Sequence, residues 1–145
     1  MDDFYKGNLN TDREKSLALP KGKEWLIGNF DKFKNDIRKT DLLELKYWEI
    51  RKGDEKKHAE KIQKSVGEIT IIVEGKVRGF IGKSEMVLEK DEYVYIPPGI
   101  SNNLIVEIME CDKIKGLTFK APSDGSDFKK NNPDRDALLD TPKSR

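Results

Sequence analysis

The chain has 145 residues, of which 35% are hydrophobic and 38% are charged. Its 28 Lys and Arg residues are interleaved with 27 Asp and Glu residues, and the net charge is only +1. This balance argues against a nucleic-acid-binding surface, which would concentrate positive charge. The length suits a single domain with one core.

Cysteine and histidine are scarce, which restricts the chemistry further. The single cysteine, Cys111, excludes an internal disulfide framework and a cysteine-cluster zinc site. The single histidine, His58, excludes any mechanism that needs two imidazoles in one subunit. No apolar run approaches the roughly 18 residues of a membrane span, and the N-terminus is too charged for a signal peptide. We therefore expect a cytoplasmic protein that does not bind membranes.

The first part of the chain predicts an arm followed by short elements. Residues 1–22 are mostly polar and end at the turn Pro20-Lys21-Gly22. A short strand is predicted at residues 24–30, and one or two helical turns at residues 31–40. Residues 42–50 alternate between two apolar faces, which indicates a strand that is buried on one side and partly covered on the other.

Residues 55–66 allow two interpretations. Ala59, Ile62 and Val66 lie three and four positions apart among charged residues, which is typical of an amphipathic helix. A strand followed by a loop is the competing interpretation. The periodicity slightly favours the helix.

From residue 67 onward the pattern indicates consecutive strands. In residues 67–74 β-branched residues dominate, with Glu68, Thr70 and Ile72 on one face. Tight turns separate further predicted strands at residues 77–81, 86–88 and 93–96, and residues 104–109 and 116–120 predict a last hairpin. Strands at this spacing imply an antiparallel sandwich or barrel.

The composition divides the chain into three predicted segments. An N-terminal arm covers residues 1–22, and a β-barrel covers residues 23–122. Residues 123–145 form a polar tail with too few apolar side chains to become ordered alone.

Two spaced patterns lie in the strand-rich region. Glu68 is separated from Gly75 by six residues, and Asp91 is followed after five residues by Pro97-Pro98-Gly99 and then, two residues later, by Asn102. In both patterns the chain resembles the cupin superfamily. The first cupin motif is a His-x-His pair, a Glu, six residues and a Gly; the second is a Gly, five residues, Pro-x-Gly, two residues and a His. Here Asp91 stands in the Gly position and Asn102 in the His position.

The resemblance covers about residues 42–122 and implies a fold. It predicts an all-β, cupin-type double-stranded β-helix, or jelly-roll barrel. Short helical or irregular segments would precede the barrel, and a flexible tail would follow it.

The metal-binding residues are where the sequence departs from the cupin pattern. Cupins usually bind one divalent cation through three histidines and one carboxylate. If His58-Ala59-Glu60 is the His-x-His pair, the loop to Glu68 is longer than the motif allows, and only a weak divalent site at His58, Glu60 and Glu68 results. If the positions are counted back from Glu68 without a gap, they fall at Lys61 and Gln63. A lysine ammonium would then oppose a cation. The resemblance implies a degenerate metal site, and we expect no resident metal or other cofactor.

Two functions agree with this sequence. The first is a small-molecule-binding cupin with a largely metal-free barrel pocket, whose ligand is a sugar or nucleotide derivative. The predicted ligand contacts combine polar anchors, an anion-binding arginine, a stacking aromatic ring and an apolar lining residue. They are Glu68, Thr70 and Asn102 as anchors, Arg78, Tyr95 and Leu104.

The second function is an isomerase or epimerase that acts on an activated sugar, metal-free or weakly metal-dependent. His58 and Glu68 would be its acid/base pair. A single histidine favours the binding protein, but the sequence does not decide whether a reaction is catalysed. By analogy we also expect a homodimer, with exposed strand edges and the N-terminal arm as contacts.

Overall fold

The computed structural model of the protein describes residues 4–19, 23–55 and 60–123. Within these residues the chain forms an α-helix, a short 3₁₀ helix and a series of strands. They are α1 (Leu9–Leu17), β1 (Trp25–Ile27), the 3₁₀ helix (Asp31–Phe33), β2 (Glu44–Arg51), β3 (Gly67–Glu74), β4 (Lys76–Ile81), β5 (Ser84–Glu89), β6 (Tyr93–Ile96), β7 (Asn102–Ile108) and β8 (Lys113–Ala121). Among the described residues, no helix is long and apolar enough to span a membrane.

The strands form two antiparallel sheets. The larger sheet has the order β1-β2-β8-β3-β6, and the smaller has the order β5-β4-β7. Most neighbours in the sheets are distant in the sequence, as in a jelly roll, where the chain passes repeatedly from one sheet to the other. The predicted all-β jelly-roll class is confirmed.

The hairpin predicted at the end of the barrel is wrong. Strand β7 pairs with β4 in the smaller sheet, whereas β8 pairs with β2 and β3 in the larger one. The turn residues between β7 and β8 resemble those of a hairpin, but they carry the chain between sheets. Local turn chemistry does not distinguish these two outcomes.

The helix favoured for residues 55–66 is also wrong where the structure describes this segment. Lys61 and Asn102 exchange two main-chain hydrogen bonds of 2.8 Å, and the Gly99 N–H donates to the Gln63 carbonyl at 2.8 Å. Residues 60–66 therefore run as an irregular, partly extended segment along the start of β7. Pairing with a distant strand overrides the helical periodicity. Residues 56–59 lie outside the described residues.

The helix α1 is attached to the first strand of the barrel. The Asn8 side chain caps it by accepting from the Thr11 N–H at 3.0 Å. Arg13 pairs with Glu24 at 2.7 Å, and the buried Ser16 hydroxyl lies 2.8 Å from the Trp25 carbonyl oxygen. This part of the predicted arm is therefore packed on the barrel.

The interior of the barrel is divided into an apolar half and a polar half. The apolar half is a cluster from both sheets, namely Trp48, Ile50, Ile72, Val77, Leu88, Ile105, Ile108 and Ile114. Leu104 and Cys111, a free thiol, pack against it. The polar half lies towards the start of β3 and the end of β8.

The chain remains part of the barrel as far as Ser123. The Ser123 N–H donates to the Asp41 carbonyl at 2.9 Å, and its hydroxyl donates to Glu44 Oε1 at 3.0 Å. This buried residue was predicted to begin the polar tail. The rest of that tail, residues 124–145, lies outside the described residues.

Candidate functional site

A row of alternating charges crosses the larger sheet on its inner face. The strand register pairs Glu44 with Lys120 and Lys120 with Glu68. Cross-strand partners project to the same side of a sheet, so these three side chains share one face. All are buried, at 1%, 4% and 3% exposure. The Lys120 ammonium also lies 5.3 Å from the centre of the Trp25 ring. Buried charges of opposite sign offset the cost of removing each from water.

A chain of hydrogen bonds leads from the apolar half to Glu68. The Trp48 indole N–H donates to Thr118 Oγ1 at 2.9 Å, and the hydroxyls of Thr118 and Thr70 are 3.0 Å apart. The Thr70 hydroxyl donates to Glu68 Oε2 at 2.9 Å. Because an indole only donates and a carboxylate only accepts, Thr118 must donate to Thr70. One oxygen of Glu68 therefore accepts a hydrogen bond from within the barrel.

The other oxygen of Glu68 is engaged by Lys61. The Lys61 ammonium lies 3.0 Å from Glu68 Oε1, and its side chain is 28% exposed whereas that of Glu68 is 4% exposed. Burial raises the pKa of Glu68, but the charges of Lys61 and Lys120 and the hydrogen bonds from Lys61 and Thr70 outweigh this, so that its pKa is lowered overall. Glu68 is a carboxylate at neutral pH.

Two amide side chains lie beside this ion pair. Asn102 is bonded to Lys61 through the main chain and is 4% exposed. Gln63 lies two residues after Lys61, and its main-chain carbonyl accepts from the Gly99 N–H at 2.8 Å. Gln63 Oε1 and Asn102 Oδ1 are both buried, and no described residue donates a hydrogen bond to either of them. Buried acceptors of this kind mark a place where a water or a bound molecule supplies the missing donor.

Comparisons with known proteins find solved structures that superpose in part but no close relative. No family model matches the chain, and no curated protein sequence matches it. A protein of Bacillus halodurans superposes with a TM-score of 0.49 at 16% identity, over 57% of this chain and 64% of that one. The cupin domain of Schizosaccharomyces pombe Cnp3 gives 0.47 at 16% identity, over 63% of each chain. A cupin protein of Bacteroides fragilis gives 0.45 at 17% identity, over 57% of this chain and 68% of that one. The match spans less than two thirds of the first two proteins.

All three scores lie below 0.5, so the fold assignment rests on this chain's own features. The two sheets have the strand order of a jelly roll, Glu68 lies at the start of β3, and Asn102 lies at the start of β7, both buried. The chain has the cupin fold. The residues of both cupin motifs thus reach the polar end of the same cupin barrel.

The structure favours one register for the first cupin motif. Lys61, Gln63 and Glu68 are the positions obtained by counting without a gap, and Lys61 contacts Glu68 directly. Lys61 is also paired with Asn102, which holds the fourth motif position. The alternative register depends on His58, which lies outside the described residues.

These four side chains do not fit the metal ion that the cupin fold implies. The carboxylate is already bonded to an ammonium, the ammonium repels a cation, and amides are weak ligands. Among residues 4–19, 23–55 and 60–123, no cluster of three or more His, Cys, Asp or Glu side chains could hold a metal. The groups of the barrel end are instead hydrogen-bond donors and acceptors.

The structure brings together only some of the residues predicted to contact a ligand. Glu68, Thr70 and Asn102 are buried at the polar end. Leu104 packs on the apolar core. Arg78 lies in the smaller sheet, where it pairs with Glu107 at 3.1 Å and Glu85 at 2.9 Å, and its raised pKa is due first to the hydrogen bond with Glu107. Arg78 stays a prediction without support from this geometry.

Tyr95 lies on the outside of the larger sheet. It pairs with Ile69, on the face opposite to Glu68, and it is 57% exposed. There it borders a cavity of about 460 Å³ lined by Leu43, Ser65, Gly67, Ile69, Tyr95, Pro98, Phe119, Lys120 and Ala121. Its predicted stacking role would therefore belong to this outer groove and not to the barrel end.

Several residues of the polar end were not singled out from the sequence. Lys120, Thr118 and Glu44 reach the site through the register of β2, β8 and β3, which the sequence does not contain. The one usable signal is that Gly116, Thr118 and Lys120 alternate with larger apolar residues along β8. That alternation would suggest a polar face, but an inward direction for this face goes against the usual pattern.

Proposed function

We propose that this chain is a small-molecule-binding cupin domain whose polar barrel end holds its ligand without a metal ion. The observation that carries the proposal is the pair of buried amide oxygens, Gln63 Oε1 and Asn102 Oδ1, beside the Lys61–Glu68 ion pair. A buried acceptor without a donor costs about 1–3 kcal/mol. A molecule that donates to both amides would recover this energy on binding.

The charges of the site indicate the kind of molecule. Lys61 is paired with Glu68, and in the strand register Lys120 lies between Glu68 and Glu44, so these four charges compensate one another and do not favour a strongly charged ligand. A hydroxyl group both donates and accepts, so neighbouring hydroxyls could bond to the amide oxygens and to Lys61 together. This supports a sugar, or the sugar part of a nucleotide derivative, as the ligand.

Native mass spectrometry of protein purified directly from cells tests the proposal. We expect a retained small molecule whose fragments contain a sugar. The variant Asn102→Ala should retain much less of it, whereas Asn103→Ala, at the next position of the same strand, should retain it like the parent protein. No retained molecule, together with no change in melting temperature across a panel of monosaccharides and nucleotide sugars, would contradict the proposal.

The alternative is an isomerase or epimerase with His58 and Glu68 as its acid/base pair. The lowered pKa makes Glu68 a weak base at neutral pH, which favours the binding function. Proton exchange separates the two functions. An enzyme would introduce solvent deuterium next to the carbonyl of an activated sugar and would lose this activity in both His58→Ala and Glu68→Gln, whereas a binding protein would give no exchange.

A further inference from the structure

We propose that the Lys61 ammonium takes the place of the metal ion of a cupin barrel, so that the cation of this site belongs to the chain itself. The inference deepens the proposed function and rests on it for the nature of the ligand. Its geometric part, the convergence of four motif positions on one point, can be tested without any ligand.

The contacts of Glu68 indicate which group lies in the position of the cation. One carboxylate oxygen accepts from Thr70 and the other lies 3.0 Å from the Lys61 ammonium. Glu68 stands in the position of the carboxylate ligand of the cupin motif. The group that faces its second oxygen therefore stands where a bound cation would be, and that group is an ammonium.

The other two motif positions, Gln63 and Asn102, are held next to Lys61. Lys61 and Asn102 are held together by two main-chain hydrogen bonds, and Gln63 is held near Gly99 by a third. The unpartnered oxygens of Gln63 and Asn102 are both buried. Residues of three separate segments thus meet next to the Lys61–Glu68 pair, and neither amide oxygen is bonded to the ammonium.

The Lys61 ammonium has hydrogen-bond donors left over for a ligand. It has three N–H donors, and Glu68 occupies one of them. Its side chain is 28% exposed, so the remaining donors are not sealed from an entering molecule. They would bind a carbonyl or hydroxyl oxygen of the ligand, as the open position of a metal does. The neighbouring amide oxygens would accept hydrogen bonds from the same molecule.

Replacing the three non-carboxylate positions by histidine tests this arrangement. The variant carries Lys61→His, Gln63→His and Asn102→His in a His58→Ala background, so that only the introduced imidazoles and Glu68 are present. We expect one Co²⁺ per chain by equilibrium dialysis, with the visible absorption of a coordinated ion, and none in the His58→Ala parent. Adding Glu68→Gln should weaken binding about tenfold or more.

A matched control carries the same number of histidines on the surface, at Lys34→His, Lys83→His and Lys90→His in the same background. If the folded graft binds Co²⁺ no better than this control, the four positions do not converge and the inference is overturned. Stoichiometric Co²⁺ in the His58→Ala parent would also overturn it.

Should the triple variant fail to fold, Lys61→His with Asn102→His keeps three ligands with Glu68 and is compared in the same way. None of these measurements uses the retained molecule. A failed graft therefore differs from a failed proposed function, which native mass spectrometry reports separately.

Discussion

Glu68 keeps its charge inside the barrel because both of its oxygens have partners. Lys61 lies at one oxygen and the Thr70 hydroxyl at the other, at 3.0 and 2.9 Å. Removal of one partner from a buried ion pair is costly, since the remaining charge loses its compensation without regaining water. The Lys61–Glu68 pair is therefore expected to matter for stability as well as for binding.

The variant Lys61→Met should lose about 3 kcal/mol of unfolding free energy at neutral pH, because Glu68 would remain buried with one oxygen unbonded. Urea unfolding measures this loss. Lys83→Met, at an exposed turn position, is the control and should unfold like the parent protein. Equal stability of the two variants would show that the ion pair is not buried as described.

The pH dependence of this loss has a defined direction. The pKa of Glu68 in the folded protein lies below its usual value of 4.5, so the pair stabilises the fold above that pH and stops doing so as the pH falls through the lowered pKa. The difference in unfolding free energy between the parent protein and Lys61→Met should thus be largest at neutral pH and should shrink in acid. Urea titrations between neutral pH and pH 3 measure it. A difference in unfolding free energy that does not change with pH would contradict the lowered pKa of Glu68.

The Thr118 hydroxyl should contribute through the hydrogen bonds that it joins. Thr118→Val keeps the shape of the side chain but leaves the buried Trp48 N–H without its acceptor. We expect a loss of about 1–3 kcal/mol in unfolding free energy. The control Thr11→Val, on the exposed side of α1, should change stability by less than about 0.5 kcal/mol. If thermal and urea unfolding give the two variants the same stability, this would argue against the series of hydrogen bonds from Trp48 to Glu68.

Strand β8 has a glycine directly opposite a tryptophan of β2. Gly116 pairs with Trp48 of β2, and a Cβ on Gly116 would lie 2.1 Å from Trp48 Cζ2. No side chain fits there unless the ring moves. The close approach lets the indole lie across β8 and reach Thr118.

Gly116→Ala should therefore destabilise the barrel by about 1–3 kcal/mol through overpacking. Gly67→Ala is a matched control, since it is also a strand glycine and its added Cβ would come no closer than 3.4 Å to the Tyr95 ring. Denaturant unfolding of both variants checks the prediction. A similar midpoint for both would mean that Trp48 has room to shift.

The elements that the sequence predicted well are those with local signals. Strands β3 to β6 follow from β-branched alternation and tight turns, and their bounds agree closely with the prediction. The segment around Lys61 and the separation of β7 from β8 depend on partners far away in the chain. Periodicity carries no information about such partners, so both features were predicted wrongly.

The residues of the site also divide into those that local patterns predict and those that depend on distant partners. Alternation placed Glu68 and Thr70 inside the barrel, and the spacing after the Pro-Pro-Gly corner singled out Asn102. Lys120 and Trp48 join them only through the register of three strands, which depends on the packing of the complete barrel. The polar end is therefore a product of the tertiary fold more than of any one motif.

The homodimer remains a prediction for the molecule as a whole. In the described part of the chain, the edge strands are β1 and β6 in the larger sheet and β5 and β7 in the smaller one, and exposed strand edges favour association. Light scattering after size-exclusion chromatography should give twice the 16.7 kDa mass of the chain. A single-chain mass at every concentration would contradict it.

The position of β8 has a consequence for how the protein is made. This strand comes last in the described sequence, yet it lies between β2 and β3 in the middle of the larger sheet. On the ribosome, the β4–β5 hairpin can form early, whereas β2 and β3 must wait for their shared neighbour. Until β8 emerges, Glu44 and Glu68 lack their shared cross-strand neighbour Lys120. The larger sheet should therefore form only after β8 has emerged, when Lys120 takes its place between the two carboxylates.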